Sequence, residues 1–386
     1  MDISPESKTL IEHPVLNQDR QKKARMYSSI RRRLSLGEMS FSLALLLILI
    51  LTSISRRFIG LLDWPEVPSA VVFFLGLTLA YELITSPLSY FNGFILPRRY
   101  GISTQRLRSW IGDLAKGGSL GLAFGSAAVA VAYWLLLSYP AFWWLLAWGL
   151  MIIVTVIMSI IGPVILVPIF YKVRPLVDSE LRSRLEQLAK SAGAKVYGIY
   201  TLDFSSKGTT ANAALMGMGR TRRIVVSDTL IQGYTVSEIE VVTAHEIGHH
   251  LHRDILRAFI VQSAVFLIGL KIVDVILKAV VTPLGYKGIA DPAVLPILFL
   301  LFGVLAAVIS PLTNTYSRHL ESQADGYALK LTHDSGAFVD SMTRLVNQNL
   351  AVADPSYWEE LLFYSHPSYN RRVEQARIFK EKRGLN

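Results

Sequence analysis

The chain contains no cysteine. Disulfides, thiolate metal sites and a cysteine nucleophile are thereby excluded, and any metal must be held by His, Asp or Glu. Charge is scarce as well: 18 % of the 386 residues are charged against 52 % hydrophobic, a balance too apolar for an ordinary soluble domain of this size. Internal repeats and low-complexity stretches are lacking, and the polar, basic first 36 residues do not read as a removable signal peptide.

What is present is a set of long apolar runs. Residues 40–52, 70–90, 119–138, 141–170, 258–282 and 293–312 are dominated by Leu, Ile, Val, Ala and Phe. A helix of ~20 such residues covers a ~30 Å hydrocarbon core, so six membrane spans are expected. The net charge of +10 gathers beside these runs, at 22–33, 98–108 and 172–184. By the positive-inside rule the N-terminal tail, the loop after span two, the long segment after span four and the C-terminal tail then lie in the cytoplasm. The basic balance is explained by topology, and no nucleic-acid partner is expected.

The expected organisation is a basic tail at 1–36, four membrane helices at 37–170 with a cytoplasmic loop at 93–116, a cytoplasmic α+β domain at 171–255, two further membrane helices at 256–312, and a helical C-terminal part at 313–386. Within the polar segment, 177–192 has helical periodicity and stops at Gly193. Residues 196–202, 210–218 and 223–226 read as about three short strands separated by turn residues. Thr235 with Glu238 forms a capping-box start for the next helix, which can run on into the fifth span. Residues 312–331 are again helical, and the last sixty residues read as short helices interrupted at Ser365-His366-Pro367.

The strongest chemical signal is His245-Glu246-Ile247-Gly248-His249. Positions i and i+4 stack two imidazoles on one helical face, as two ligands of one Zn²⁺ require. Glu246, rotated by about 100° from the first ligand, can reach a water held by the metal and act as its general base. A catalytic zinc site wants three protein ligands and an open position. Among downstream carboxylates Glu321 has the best setting, because Asn314, Ser317, Arg318, Glu321 and Asp325 recur at helical spacing just after an apolar span. Asp325 can accept a hydrogen bond from a ligating histidine and fix its tautomer. His250 and His252 lie off the face of the first pair, and His319 and His333 stand alone in sequence. His366, before a proline, sits in a turn able to project an imidazole toward a site.

From Gln21 to Arg377 the sequence resembles the type I CAAX prenyl endopeptidases, a family of integral-membrane zinc metalloproteases. The resemblance rests on Ser89-Tyr90-Phe91-Asn92-Gly93-Phe94 with Arg98-Arg99-Tyr100-Gly101-Ile102; 206–219 with Asn212-Ala213; 223–230; the metal motif; 314–325; and Ser365-His366-Pro367. It implies a mainly α, polytopic membrane protein with a small cytoplasmic zinc-protease domain. It implies one Zn²⁺ per chain on His245, His249 and Glu321, with Asp325, Asn314 and Arg318 around the ligands and Glu246 as base. His366 and Arg372 would stand near the scissile carbonyl, and Asn212, Ala213 and Ala214 would form an edge strand pairing with extended substrate. The family's helices enclose a water-filled chamber, which Glu82, Lys271 and Asp274 would line. The family has seven spans, whereas six are read here.

The implied function is hydrolysis of extended peptide or membrane-associated protein substrates, with or without a lipid group, in an inner or plasma membrane and with the active site in the cytoplasm. Related heat-shock membrane proteases, which degrade damaged membrane proteins, share the metal motif and are the alternative. A non-proteolytic transporter or metal-responsive scaffold is a third reading, although it gives Glu246 nothing to do.

Overall fold

The computed structural model describes residues 13–217 and 221–384. The first part of the expected tail, the last residue of the expected strand 210–218 and part of the turn after it lie outside the described residues. In chain order the elements are α1 (Gln18–Leu51), α2 (Glu66–Arg99), α3 (Leu107–Ser138), α4 (Trp143–Phe170), β1 (Val173–Pro175), α5 (Ser179–Ser191), β2 (Ile199–Leu202), β3 (Ala213–Met216) and β4 (Arg223–Ser227). There follow α6 (Val236–Leu251), α7 (Asp254–Val280), α8 (Pro292–Thr332), α9 (Ser335–Gln348), α10 (Tyr357–Phe363) and α11 (Tyr369–Lys382).

Among the described residues six helices, α1 to α4, α7 and α8, are long and apolar enough to cross a membrane. Helices α1, α2, α3 and α8, at 32 to 41 residues, are longer than a ~30 Å hydrocarbon core requires. Helix α1 begins at Gln18, inside the expected tail, capped by the Asn17 side chain, and its Gln, Lys, Arg and Met residues favour helix without needing lipid. The expected loop at 93–116 shrinks to 100–106, because α2 passes through a π-helical turn at Phe91–Ile95 and continues to Arg99. Such a turn absorbs an irregularity in the hydrogen-bond ladder without ending the helix.

Neighbouring helices pack in the circuit α2, α3, α4, α7, α8, α1. The circuit closes where Ser42 of α1 meets the Tyr81 hydroxyl of α2 at 2.9 Å. The main membrane core lies at the end remote from the polar domain, where Ala70, Phe73, Tyr133, Leu136, Leu270, Leu277 and 293–298 are buried together. Asp274 sits in this end, 1 % exposed, and accepts from the Trp143 indole at 2.7 Å, Lys278 at 2.7 Å and Lys271 at 3.1 Å. The expectation that Asp274 lines a watery interior is therefore corrected: partners within the protein satisfy its charge. Glu82 is exposed.

The polar domain carries one four-stranded sheet in the order β1-β2-β4-β3. Strand β1 is an addition to the expected three; it spans three residues and ends in Pro175, too short for an alternating pattern to show. Strands β2 and β4 are parallel, β3 and β4 antiparallel, and β3 is an edge. Helix α6 starts on the expected capping box of Thr235 and Glu238. It does not run on into the fifth span. Arg253 takes a left-handed conformation at φ 57, and the chain turns before α7 begins at Asp254.

Replacing Asp274 with Ala should leave the buried Trp143 indole without its acceptor and remove two half-exposed ion pairs, costing about 1–2 kcal/mol, read as a lower thermal midpoint in detergent. An unchanged midpoint would show that the cluster is dispensable.

Candidate metal centre

Helix α6 packs along the C-terminal half of α8, and the two carry the central groups. His245 Nε2 lies 3.1 Å from His249 Nε2 and 3.3 Å from Glu321 Oε2, and His249 Nε2 lies 3.4 Å from Glu321 Oε1. Ligands at the usual Zn–N and Zn–O lengths in a tetrahedron stand ~3.3 Å apart. Each imidazole nitrogen thus stands at ligand spacing from the other and from one oxygen of the Glu321 carboxylate, which straddles the pair.

The other ring nitrogens explain why both Nε2 atoms face inward. His249 Nδ1 is 2.9 Å from Asp254 Oδ2, and His245 Nδ1 is 2.9 Å from Asp325 Oδ1, where a small ring rotation aligns a hydrogen bond. A carboxylate on each Nδ1–H leaves the Nε2 lone pair of the neutral ring pointing at the shared centre. Two lone pairs and a carboxylate at these separations repel one another unless a cation lies between them. The residues therefore fit a metal ion.

Asp325 is fully buried and is gripped in turn by Arg372, whose Nε donates to Oδ2 at 2.8 Å. Arg372 thus stands behind a ligand's partner. His366 approaches from the open side, 62 % exposed, with Nδ1 at 2.8 Å from Glu321 Oε2. Asn314 and Arg318 reach no ligand. Asn314 donates to the Leu362 carbonyl at 3.0 Å, and Arg318 donates to the carbonyls of Glu360 at 2.8 Å and Tyr364 at 2.6 Å. They anchor the end of α10 and so set the turn that presents His366.

Asp254 is the residue that sequence reasoning missed. At i+5 from His249 it would leave the ligand face of a continuous helix, and only the left-handed Arg253 folds it back. An acid at the start of an apolar span was the one signal the sequence carried. The other histidines stay outside the cluster: His252 packs edge-on against Tyr327, His319 pairs with Gln323 at 2.9 Å, and His333 meets Arg383.

Glu246 lies on the same helix, facing β3. Burial pushes its carboxyl above the ordinary range, opposed by the charges of His245 and His249 and by the Leu215 N–H. A carboxylate raised in this way is a better proton acceptor than an exposed one. Burial disfavours protonation of His245, but Asp325 and Glu321, placed to accept from its ring nitrogens, outweigh it and push the pKa up to about 10. His249 is also raised, Glu321 and Asp254 prevailing over burial.

Residues 175–379 match peptidase family M48, and residues 10–172 match the CAAX prenyl protease N-terminal family, described as having five membrane helices. The described residues supply four in that stretch. The chain is 30 % identical to the uncharacterized metalloprotease YhfN of Bacillus subtilis, over 92 % of this chain and 84 % of that one. It is 30 % identical to CAAX prenyl protease 1 of Saccharomyces cerevisiae, over 80 % of this chain and 72 % of that one. The crystal structure of S. mikatae Ste24p superposes with a TM-score of 0.83 at 25 % identity, covering 96 % of this chain and 92 % of that one.

Two outcomes are expected. Asp254→Ala should weaken metal binding by roughly 10–100-fold, measured by competition with a chelator; unchanged affinity would remove Asp254 from the centre. The metal needs neutral imidazoles, and His245 is protonated below about 10, so affinity should climb as pH rises toward that value. At neutral pH metal uptake should expel at least about one proton, from His245, with a further contribution from His249, seen by calorimetry in buffers of different ionisation heat. Uptake without proton release would contradict the shift.

Proposed function

The chain belongs to peptidase family M48 and is a multi-pass membrane metalloendopeptidase, and from this premise we propose that its metal is zinc, held by His245, His249 and Glu321, with Glu246 as the catalytic base. The single observation behind the ligand set is the convergence of its three side chains, with both imidazole nitrogens 3.1 Å apart and each within 3.4 Å of a Glu321 oxygen. A set of two imidazoles and one carboxylate is a usual catalytic zinc set. The bound ion would supply Lewis acidity toward the scissile carbonyl and the attacking water.

The protein's own groups carry the rest. Glu246, held near the Leu215 amide, takes the proton of the attacking water and passes it to the leaving amine. His366, on the open side, is placed to donate to the oxyanion that develops on the carbonyl. Arg372 acts at one remove, fixing Asp325 and through it the His245 ring. Asn212, Ala213 and Ala214 lie at and on the edge strand, whose unpaired side offers backbone hydrogen bonds to an extended peptide.

The substrate is an extended peptide or membrane-associated protein segment, with or without a lipid group, and the active site is on the cytoplasmic side. Support for the orientation is the concentration of basic residues at 22–33, 98–108 and 172–184, on the helix ends nearest the catalytic domain. The same distribution argues for a lipid-facing role of the charge and against a nucleic-acid partner. Relatives named CAAX prenyl protease 1 and the Ste24p likeness favour this line over a heat-shock-type quality-control protease or a transporter.

Glu246→Gln should keep its zinc, measured by metal analysis, and lose at least about 100-fold in turnover of a fluorogenic peptide. Peptidase activity near the wild-type level in the metal-loaded variant would remove Glu246 as base.

A further inference from the structure

The backbone leading into β3 alternates strictly. Ser227 N–H donates to the Asn212 carbonyl at 2.9 Å, Ser227 Oγ accepts from the Asn212 N–H at 3.0 Å, and Thr229 Oγ1 donates to the Thr210 carbonyl at 2.7 Å. Residues 210 and 212 thus face β4 and the residues after it. Residues 209, 211, 213 and 215 face the opposite way, along the sheet's outer edge.

That outer row is filled at one end. The Thr209 N–H donates to the Ile102 carbonyl at 2.9 Å, and the Thr209 carbonyl accepts from Gln348 Nε2 at 2.6 Å. At Ala211 a single side chain takes both groups: the N–H donates to Asn349 Oδ1 at 2.9 Å, and the carbonyl accepts from Asn349 Nδ2 at 3.2 Å. The next outward residue, Ala213, has neither backbone group paired among the described residues. Leu215 beyond it lies beside Glu246. The Asn349 carboxamide therefore does at Ala211 what a peptide unit of a bound substrate would do at Ala213.

Asn349 is not free to swing aside. It ends α9, and Leu350 after it is buried in a left-handed conformation at φ 52, uncommon for leucine. Gln21 of α1 grips the same loop, donating to the Ala351 carbonyl at 3.0 Å and accepting from the Ala353 N–H at 2.9 Å. Asn347 holds the approach to α1 in the same way, through the Val15 carbonyl at 2.9 Å and the Asn17 N–H at 3.0 Å.

We propose that Asn349 is a register stop that closes the substrate edge at Ala211 and confines backbone pairing to Ala213 and the Leu215 carbonyl, the Leu215 N–H being turned to Glu246. The inference rests on the reading that an extended peptide adds to β3. With antiparallel pairing, the stop meets the C-terminal side of the bound segment, so recognition through the backbone ends within about two residues beyond the one opposite Ala213.

The test is a walk of single N-methyl groups along the C-terminal side of a cleaved peptide. With the wild-type protein, methylation opposite Ala213 should raise KM roughly tenfold, the effect of one lost hydrogen bond, and methylation two residues further should change nothing. Asn349→Ala frees the Ala211 N–H and carbonyl and should make that further position sensitive. Metal content reports that the variant has folded. A penalty at the further position in the wild-type protein overturns the stop without touching the proposed function, and this measurement stands even if the Ala variant fails to fold. Insensitivity at every position overturns pairing with β3 and the stop with it, and failure to cleave any unmethylated peptide overturns the peptidase reading itself.

Discussion

At Gly248 the metal-motif helix comes so close to α8 that a single methyl group would meet Tyr327 at 3.1 Å and the Cα of Ala324 at 3.3 Å. That approach sets the distance between two histidines on one helix and a carboxylate on another, over seventy residues away in sequence. A wider spacing of the axes would leave Glu321 short of both rings. The glycine in the motif thus helps to set the spacing of the centre, because a larger residue there would press Tyr327 and the α8 backbone outward by a few tenths of an ångström.

The charge arrangement follows from the same packing. Buried carboxylates at 254, 321 and 325 surround two imidazoles. In the absence of a cation such a group can only be neutralised by protons, which is why the His245 pKa rises in spite of burial. Arg372 offsets part of the negative charge from behind Asp325. Two of the supporting acids belong to membrane helices: Asp254 opens α7, and Asp325 lies on the polar C-terminal extension of α8. The ring of spans is thus part of the frame that orients the ligands, as well as an anchor.

Much of this was legible in the sequence because it is periodic. Apolar runs gave the six spans, and the i, i+4 spacing gave the histidine pair. The helical recurrence from Asn314 to Asp325 brought Glu321 and Asp325 forward together, and the structure places both beside the histidines. What escaped is what depends on breaks in periodicity. Asp254 reaches His249 only through the left-handed Arg253, and Asn349 reaches Ala211 only because α9 ends there. Arg318 and Asn314 share the ligand helix with Glu321 yet turn to the carbonyls of α10, a partner no linear spacing announces. Strand β1 and the shortened loop at 100–106 were missed for a related reason: three residues are too few for a pattern, and a helix can continue past the end of its apolar stretch.

The central claim is that these three side chains, and no others, bind one metal ion. X-ray absorption at the zinc edge of the purified, metal-loaded protein tests it most directly. The expected spectrum shows two imidazole nitrogens and one carboxylate oxygen at about 2.0–2.2 Å, with an exchangeable light atom completing the shell. A spectrum with three imidazoles, or one in which the carboxylate is missing, would contradict it.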